Sequence, residues 1–313
     1  MHFSDRIDSE IKKKGNPICI GLDPRLDQLP KSIVDEAMKT HGKSAKAVAE
    51  AFIAFNTALI DAVADLVPVC KPQVAFYEEF GWEGMRAYAH AIQYARRKGL
   101  IVISDAKRGD IGATALAYAR AHLGGESIDG ENLGFDADAL TVNPYMGRDT
   151  LEPYLEIGAS GGRGIFVLVK TSNAGSGDLQ DLETASGKPL REHVAGIVQA
   201  LGEKHCGSCG LTDVGAVVGA TYPEQARRLR ELLPDTIFLI PGYGAQGATA
   251  ADAAAGFRTD GRGAIVNNSR GLIFAYKHAP YSASHGEKDF AGACREACLK
   301  MAGELKSALT AGA

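Results

Sequence analysis

The sequence predicts a single (β/α)8 barrel spanning residues 1–313, with loop insertions, and three observations carry that expectation. Eight short apolar runs rich in β-branched residues recur along the chain, helical patterns lie between them, and the runs end in glycine or polar residues. Strands covered on both faces read as nearly continuous apolar stretches, as parallel strands do. Repeated strand–helix alternation gives right-handed parallel crossovers, and eight of them close most economically as a barrel. A doubly wound open sheet has the same periodicity and remains the alternative, because periodicity does not report closure.

In chain order the runs are "PICIGLD" (17–23), "VPVCKPQ" (67–73), "LIVISDAK" (100–107), "ALTVNPY" (139–145), "GIFVLVK" (164–170), "VGAVVGA" (214–220), "TIFLIPG" (236–242) and "GAIVNNS" (263–269). Ala, Leu and Ile at three- and four-residue spacing predict helices over 45–66 and 84–99. Three stretches rich in Gly, Ser and acids, 122–138, 172–189 and 277–289, read as surface loops. No repeat, linker or low-complexity tract divides the chain.

Composition narrows the function classes. A hydrophobic share of 45% with 23% charged residues is that of an ordinary globular protein, and the formal net charge of -4 offers no basic face for nucleic acid. The charged N-terminal segment lacks the apolar core of a signal peptide, and no apolar run approaches the roughly 20 residues of a membrane span, so the expected setting is the cytoplasm. Of the six cysteines, Cys19 and Cys70 lie in apolar runs and read as core residues. Cys294 and Cys298, four apart, suggest one packed helix face, and the lone "CGSC" at 206–209 reads as ordinary reduced thiols in a loop.

In such a barrel the reactive groups come from the C-terminal ends of the strands. The first run ends at Asp23, the second at Lys71, and the third at Asp105 and Lys107. Two residues apart on a regular strand, Asp105 and Lys107 would share a face with Cα atoms about 6.6–6.8 Å apart. Lys71 reaches the same mouth from the neighbouring strand, and Asp110 lies just beyond, so the set is expected to alternate in sign, each charge stabilised by its opposite neighbours. A solvated surface ion pair is the bland alternative, but charges ending three consecutive strands on one side point to chemistry. The "RGD" at 108–110 is a chance triplet.

The seventh run leads into "PGYGAQGA", whose Gly242, Gly244 and Gly247 let backbone amides turn toward an anion while Gln246 adds a side-chain amide; the eighth leads into "NNSRG", placing Arg270 at a helix start. These two loops are the recurrent phosphate site of such barrels, and arginine suits bidentate phosphate binding. Neither G-x-G-x-x-G after the first strand nor G-x-x-x-x-G-K-[ST] is present, so the phosphate belongs to a substrate and not to a dinucleotide cofactor. There is no H-E-x-x-H; His90, His122 and His193 fall in or beside predicted helices and read as exposed or locally bonded.

"SDAKRGDIGATA", with "GLDPR", "CKPQ", "KTSN", "PGYGAQG" and "NNSRG" in that order, resembles orotidine 5'-phosphate decarboxylase, in its longer bacterial subgroup. The resemblance implies a (β/α)8 barrel that converts orotidine 5'-phosphate to UMP and CO2 in pyrimidine synthesis, with no metal or organic cofactor. It implies a charged array of Lys71, Asp105, Lys107 and Asp110, with Lys107 the proton donor to C6. Asp23, Lys71, Asp110 and Thr114 would hold the ribose hydroxyls, Ser172 the pyrimidine edge, and Gln246 and Arg270 the phosphate. Asp110, Ile111 and Thr114 would enter a partner subunit's site, which implies a homodimer. "KTSNAGSG" departs from the shorter enzymes' motif around the pyrimidine-binding serine.

That chemistry suits the residues. Loss of CO2 from C6 leaves an electron pair in an sp2 orbital, which a fixed ammonium stabilises electrostatically and then protonates. Two other readings stand beside it: a metal-dependent sugar-phosphate decarboxylase or aldolase of the same barrel type, and a non-catalytic phosphosugar-binding protein.

Overall fold

The computed structural model describes residues 1–125, 127–128, 131–244 and 246–311. Eight parallel strands close into a barrel: β1 (Ile18–Leu22), β2 (Val69–Pro72), β3 (Ile101–Arg108), β4 (Ala139–Val142), β5 (Gly164–Lys170), β6 (Thr212–Val218), β7 (Thr236–Ile240) and β8 (Ala264–Asn268). Each strand pairs with its sequence neighbours, and β1 pairs with β8, so the open-sheet alternative is ruled out. All eight predicted runs are strands. The helices expected over 45–66 and 84–99 run Ala45–Val63 and Gly81–Arg97.

Two apolar layers result from the period-two alternation of the strands. Ile18, Ile20 and Leu22 point outward against the helices, while Cys19, Val69, Ile101, Ile103, Ala139, Phe166, Ile237, Leu239 and Ile265 fill the barrel. The helix α1 (Phe3–Lys14) closes the N-terminal end: Phe3 and Ile7 join the inner cluster, and Phe3 meets Phe166 edge-on at 5.9 Å. The closed floor leaves the C-terminal end as the mouth.

The three predicted loops carry more structure than expected. Within 122–138 a short antiparallel pair, Ser127–Ile128 with Glu131–Asn132, precedes a fully buried Asp138 that accepts the β3 backbone N–H of Val102 at 2.9 Å. Glu126, Asp129 and Gly130 of that stretch lie outside the described residues. Short helical turns occupy Gly177–Gln180 and Tyr281–Ser284. Local composition reports exposure of most side chains, but not the single ones that tie a loop to the barrel. Cys294 and Cys298 are buried on the last helix, Phe290–Ala311, and all six cysteines are free thiols. Among the described residues no helix is long and apolar enough to cross a membrane.

Candidate active site

The alternation that fills the barrel also sets its mouth. Above Val69 the next inward position of β2 is Lys71; above Ile101 and Ile103 of β3 it is Asp105; above Ala139 of β4 it is Thr141. The inner wall thus changes from apolar to polar toward the C-terminal ends of the strands, where the fold places reactive groups.

Asp105 is the centre of the charged set. Its Oδ2 accepts from Lys71 Nζ at 2.6 Å and from Gln73 Nε2 at 3.1 Å, and its Oδ1 accepts from Lys107 Nζ at 2.7 Å and from the Thr141 hydroxyl at 2.9 Å. Four donors occupy the lone-pair positions an ionised carboxylate offers. Burial alone would push the Asp105 carboxyl up, but the Lys71 and Lys107 ammoniums overcome it and hold the group well below the ordinary carboxylate range. Burial likewise opposes the charge on Lys71, and Asp105 and Asp23 reverse that and raise its pKa. Both members of this pair are nearly enclosed, whereas the Lys107 side chain is 44% exposed at the mouth.

The regular-strand picture of Asp105 and Lys107 needs correction. Pairing of β3 with β4 shifts register between Ser104 and Arg108, and Lys107 has φ 49°, in the left-handed region that a residue with a Cβ rarely adopts. The two side chains meet through this irregularity and not through the pleat. Asp110 also departs from the expected alternation. Its Oδ1 accepts the N–H of Ile111 at 2.8 Å, and among the described residues it forms no ion pair with Lys71 or Lys107. Ile111 and Thr114 are exposed beside it.

A second group gathers next to the first. A cavity of 290 Å³ is lined by Asp23, Arg25, Gly242, Gln246, Ser269 and Arg270, among others, so the structure brings Asp23, Gln246 and Arg270 to one place. Gly21 is required here: a Cβ on it would lie 1.8 Å from the Ser269 hydroxyl oxygen. Gly242, Gly244 and Gly247 take positive φ of 104°, 69° and 89°, as the anion-loop reading expects; Ala245 between them lies outside the described residues. Ser172 follows β5 at the edge of this cavity, where a Cβ on Gly242 would stand 3.4 Å from both Ser172 Cβ and Gln246 Oε1.

Sequence reasoning passed over several residues. Gln73, Thr141 and Arg25 each sit at a strand end like the residues it chose, but they carry no charge or stand within a motif read for its other members. His122, expected to be exposed or locally bonded, is buried and bonded to Ser104 Oγ at 2.7 Å, which also bonds the Tyr88 hydroxyl at 2.6 Å, directly behind Asp105. Burial pushes its imidazole down to about 3, so it stays neutral.

Residues 16–280 match the family model described as "Orotidine 5'-phosphate decarboxylase / HUMPS family". The chain belongs to that family. Its enzyme class is that of the carboxy-lyases. It is 46% identical over 306 residues, 98% of this chain and 99% of the other, to the orotidine 5'-phosphate decarboxylase of Rhodopirellula baltica, and 41% identical over 301 residues, 96% and 97% of the two chains, to that of Clostridium novyi. Among solved structures it is similar to the Leishmania donovani OMP decarboxylase, with a TM-score of 0.74 and 32% identity over 99% of both chains. In this family chain the charged set around Asp105 and the cavity around Arg270 face the same mouth.

Proposed function

We propose that the chain converts orotidine 5'-phosphate to UMP and CO2 with Lys107 as the group that meets the developing charge. The observation that carries this reading is the placement of Lys107: its ammonium is tethered to Asp105 yet open to the mouth, beside a cavity that pairs Asp23 with Gln246 and Arg270. The C6–carboxylate bond breaks, its electron pair stays on C6, and CO2 leaves. The Lys107 ammonium stabilises that pair and then gives it a proton, forming the C6–H bond; solvent at the open side chain restores the ammonium.

The neighbours keep this arrangement ready. Lys71 holds its proton and Asp105 remains ionised, so the fixed charges need little rearrangement as the reaction proceeds. Repulsion between Asp105 and the substrate carboxylate is the secondary contribution, since two ammoniums already offset the Asp105 charge. Gln246 and Arg270 bind the phosphate, Asp23 and Lys71 the ribose hydroxyls, and Ser172 the pyrimidine edge. Ile111 and Thr114 are exposed, and Asp110 forms no ion pair with Lys71 or Lys107 among the described residues, which supports a homodimer in which they complete the partner's site. The reaction is placed in the cytoplasm, as expected of nucleotide synthesis.

The test is UMP formation from orotidine 5'-phosphate in the presence of chelator, followed by loss of the orotate absorbance. Turnover should survive chelator and vanish in Lys107→Ala while the far-UV circular dichroism stays unchanged. Wild-type rates in that variant remove Lys107 from the mechanism; chelator sensitivity returns the metal-dependent sugar-phosphate alternative.

A further inference from the structure

The reaction proposed above does not use the enclosed ammonium of Lys170. Lys170, at the end of β5, has a side chain 0% exposed, and removing an ammonium from water is costly unless partners offset it. Its Nζ donates to both oxygens of Asp181, at 3.0 and 2.9 Å, and lies 4.3 Å from the Tyr222 ring centroid; Arg191 also donates to Asp181. One residue further along each arm, Gln180 Oε1 accepts the Thr171 N–H at 3.0 Å and its Nε2 donates to the Thr171 hydroxyl at 2.9 Å.

Two adjacent clamps therefore close the segment 172–179 at its base. The loop after β6 fixes its first residues, the Thr221 hydroxyl donating to the Ser172 carbonyl at 3.1 Å and the Tyr222 hydroxyl to the Asn173 carbonyl at 3.2 Å. The segment is short, polar and glycine-rich, and has little apolar burial of its own to hold it. What the buried ammonium secures is its shape.

We propose that Lys170 and Gln180 are positioning residues that hold the segment 172–179 ready to receive the base, so that the ligand does not expend binding free energy on ordering it. This rests on the reading that Ser172 meets the pyrimidine edge. The clamp makes base recognition separable from phosphate recognition, because Gln246 and Arg270 belong to other loops.

The experiment compares binding of UMP and of ribose 5-phosphate, which lacks the base, by titration calorimetry on the full chain. Because Lys170→Met removes a buried charge and threatens folding, Gln180→Ala is the main variant. It should weaken UMP about tenfold and leave ribose 5-phosphate within about twofold. Gln180→Glu keeps the acceptor for the Thr171 N–H but has no donor for the Thr171 hydroxyl, whose proton goes to Asn173 Oδ1 at 2.7 Å, so it should rescue part of the loss and fall between alanine and wild type. Equal losses for both ligands, no loss, or no rescue overturns the proposal. Wild-type chain that binds the two ligands equally, or Ser172→Ala that binds UMP as wild type does, overturns the base-reading role of Ser172 itself and the inference with it; a loss in Ser172→Ala without one in Gln180→Ala overturns the inference alone.

Discussion

The backbone N–H of Lys107 donates to the Thr141 hydroxyl at 3.0 Å, and that same hydroxyl donates to Asp105 Oδ1 at 2.9 Å. One β4 side chain thus secures both the left-handed backbone of Lys107 and the carboxylate its ammonium is tied to. Non-glycine residues at positive φ cost about 1–3 kcal/mol and persist where surroundings over-determine them.

Thr141→Val keeps the shape and removes both bonds. Steady-state kinetics should show kcat lowered by about tenfold, near 1.4 kcal/mol of transition-state stabilisation, with KM nearly unchanged. Thr141→Ser should restore the rate. A valine variant with wild-type kcat would show that the backbone of Lys107 holds its conformation without this hydroxyl.

Lys71→Met tests the buried pair. A carboxyl whose folded pKa is depressed adds stability above its unfolded pKa and loses it as pH falls through the folded value, so the contribution of Asp105 is present at neutral pH and fades below about pH 4. Breaking the enclosed pair should cost roughly 3 kcal/mol at pH 7, and less under acid. Urea melts at several pH values read this directly; a deficit that does not shrink on acidification contradicts the assignment.

Asp23 has the opposite sign. Burial pushes its carboxyl up against the pull of the Lys71 ammonium, and its Oδ1 is enclosed without a hydrogen-bond partner among the described residues. The folded state therefore holds that proton to higher pH than the unfolded chain, and stability is lost as pH rises from about 4 through the raised value. Asp23→Asn should melt higher than wild type at pH 7, match it near pH 4, and bind UMP more weakly. A lower melting temperature at pH 7 would mean the ionised Asp23 is net stabilising.

Ile111, Tyr145 and Met146 are 61%, 77% and 45% exposed on the loops after β3 and β4. Apolar side chains of this size grouped at a mouth are expected at an interface. Ile111→Asp should yield a monomer by light scattering and lose turnover along with assembly. If the variant keeps the wild-type mass and rate, the shared-site reading fails.

The strands were legible because a strand buried on both faces must be apolar throughout; Lys71 and Asp105 were legible because a charge at the end of such a run is costly without a purpose, and Arg270 because it follows the eighth run, where barrels of this kind hold phosphate. Thr141, Gln73 and Lys170 were not. Neutral polar residues at strand ends are ordinary, and Lys170 discloses its burial only when Asp181 and Tyr222 arrive from elsewhere. Asp110 forms no ion pair with Lys71 or Lys107 among the described residues, and the register shift in β3 that precedes it is not encoded in sequence spacing.

Local pattern alone determined the eight strands and the charge that ends each of β1, β2 and β3, because periodicity and burial are properties of short stretches. Closure of the barrel, the left-handed turn at Lys107 and the four donors around Asp105 were decided by tertiary structure. Those features depend on distances between residues far apart in the chain, and a carboxylate's character is set by whichever charges the fold brings within a few ångströms of it.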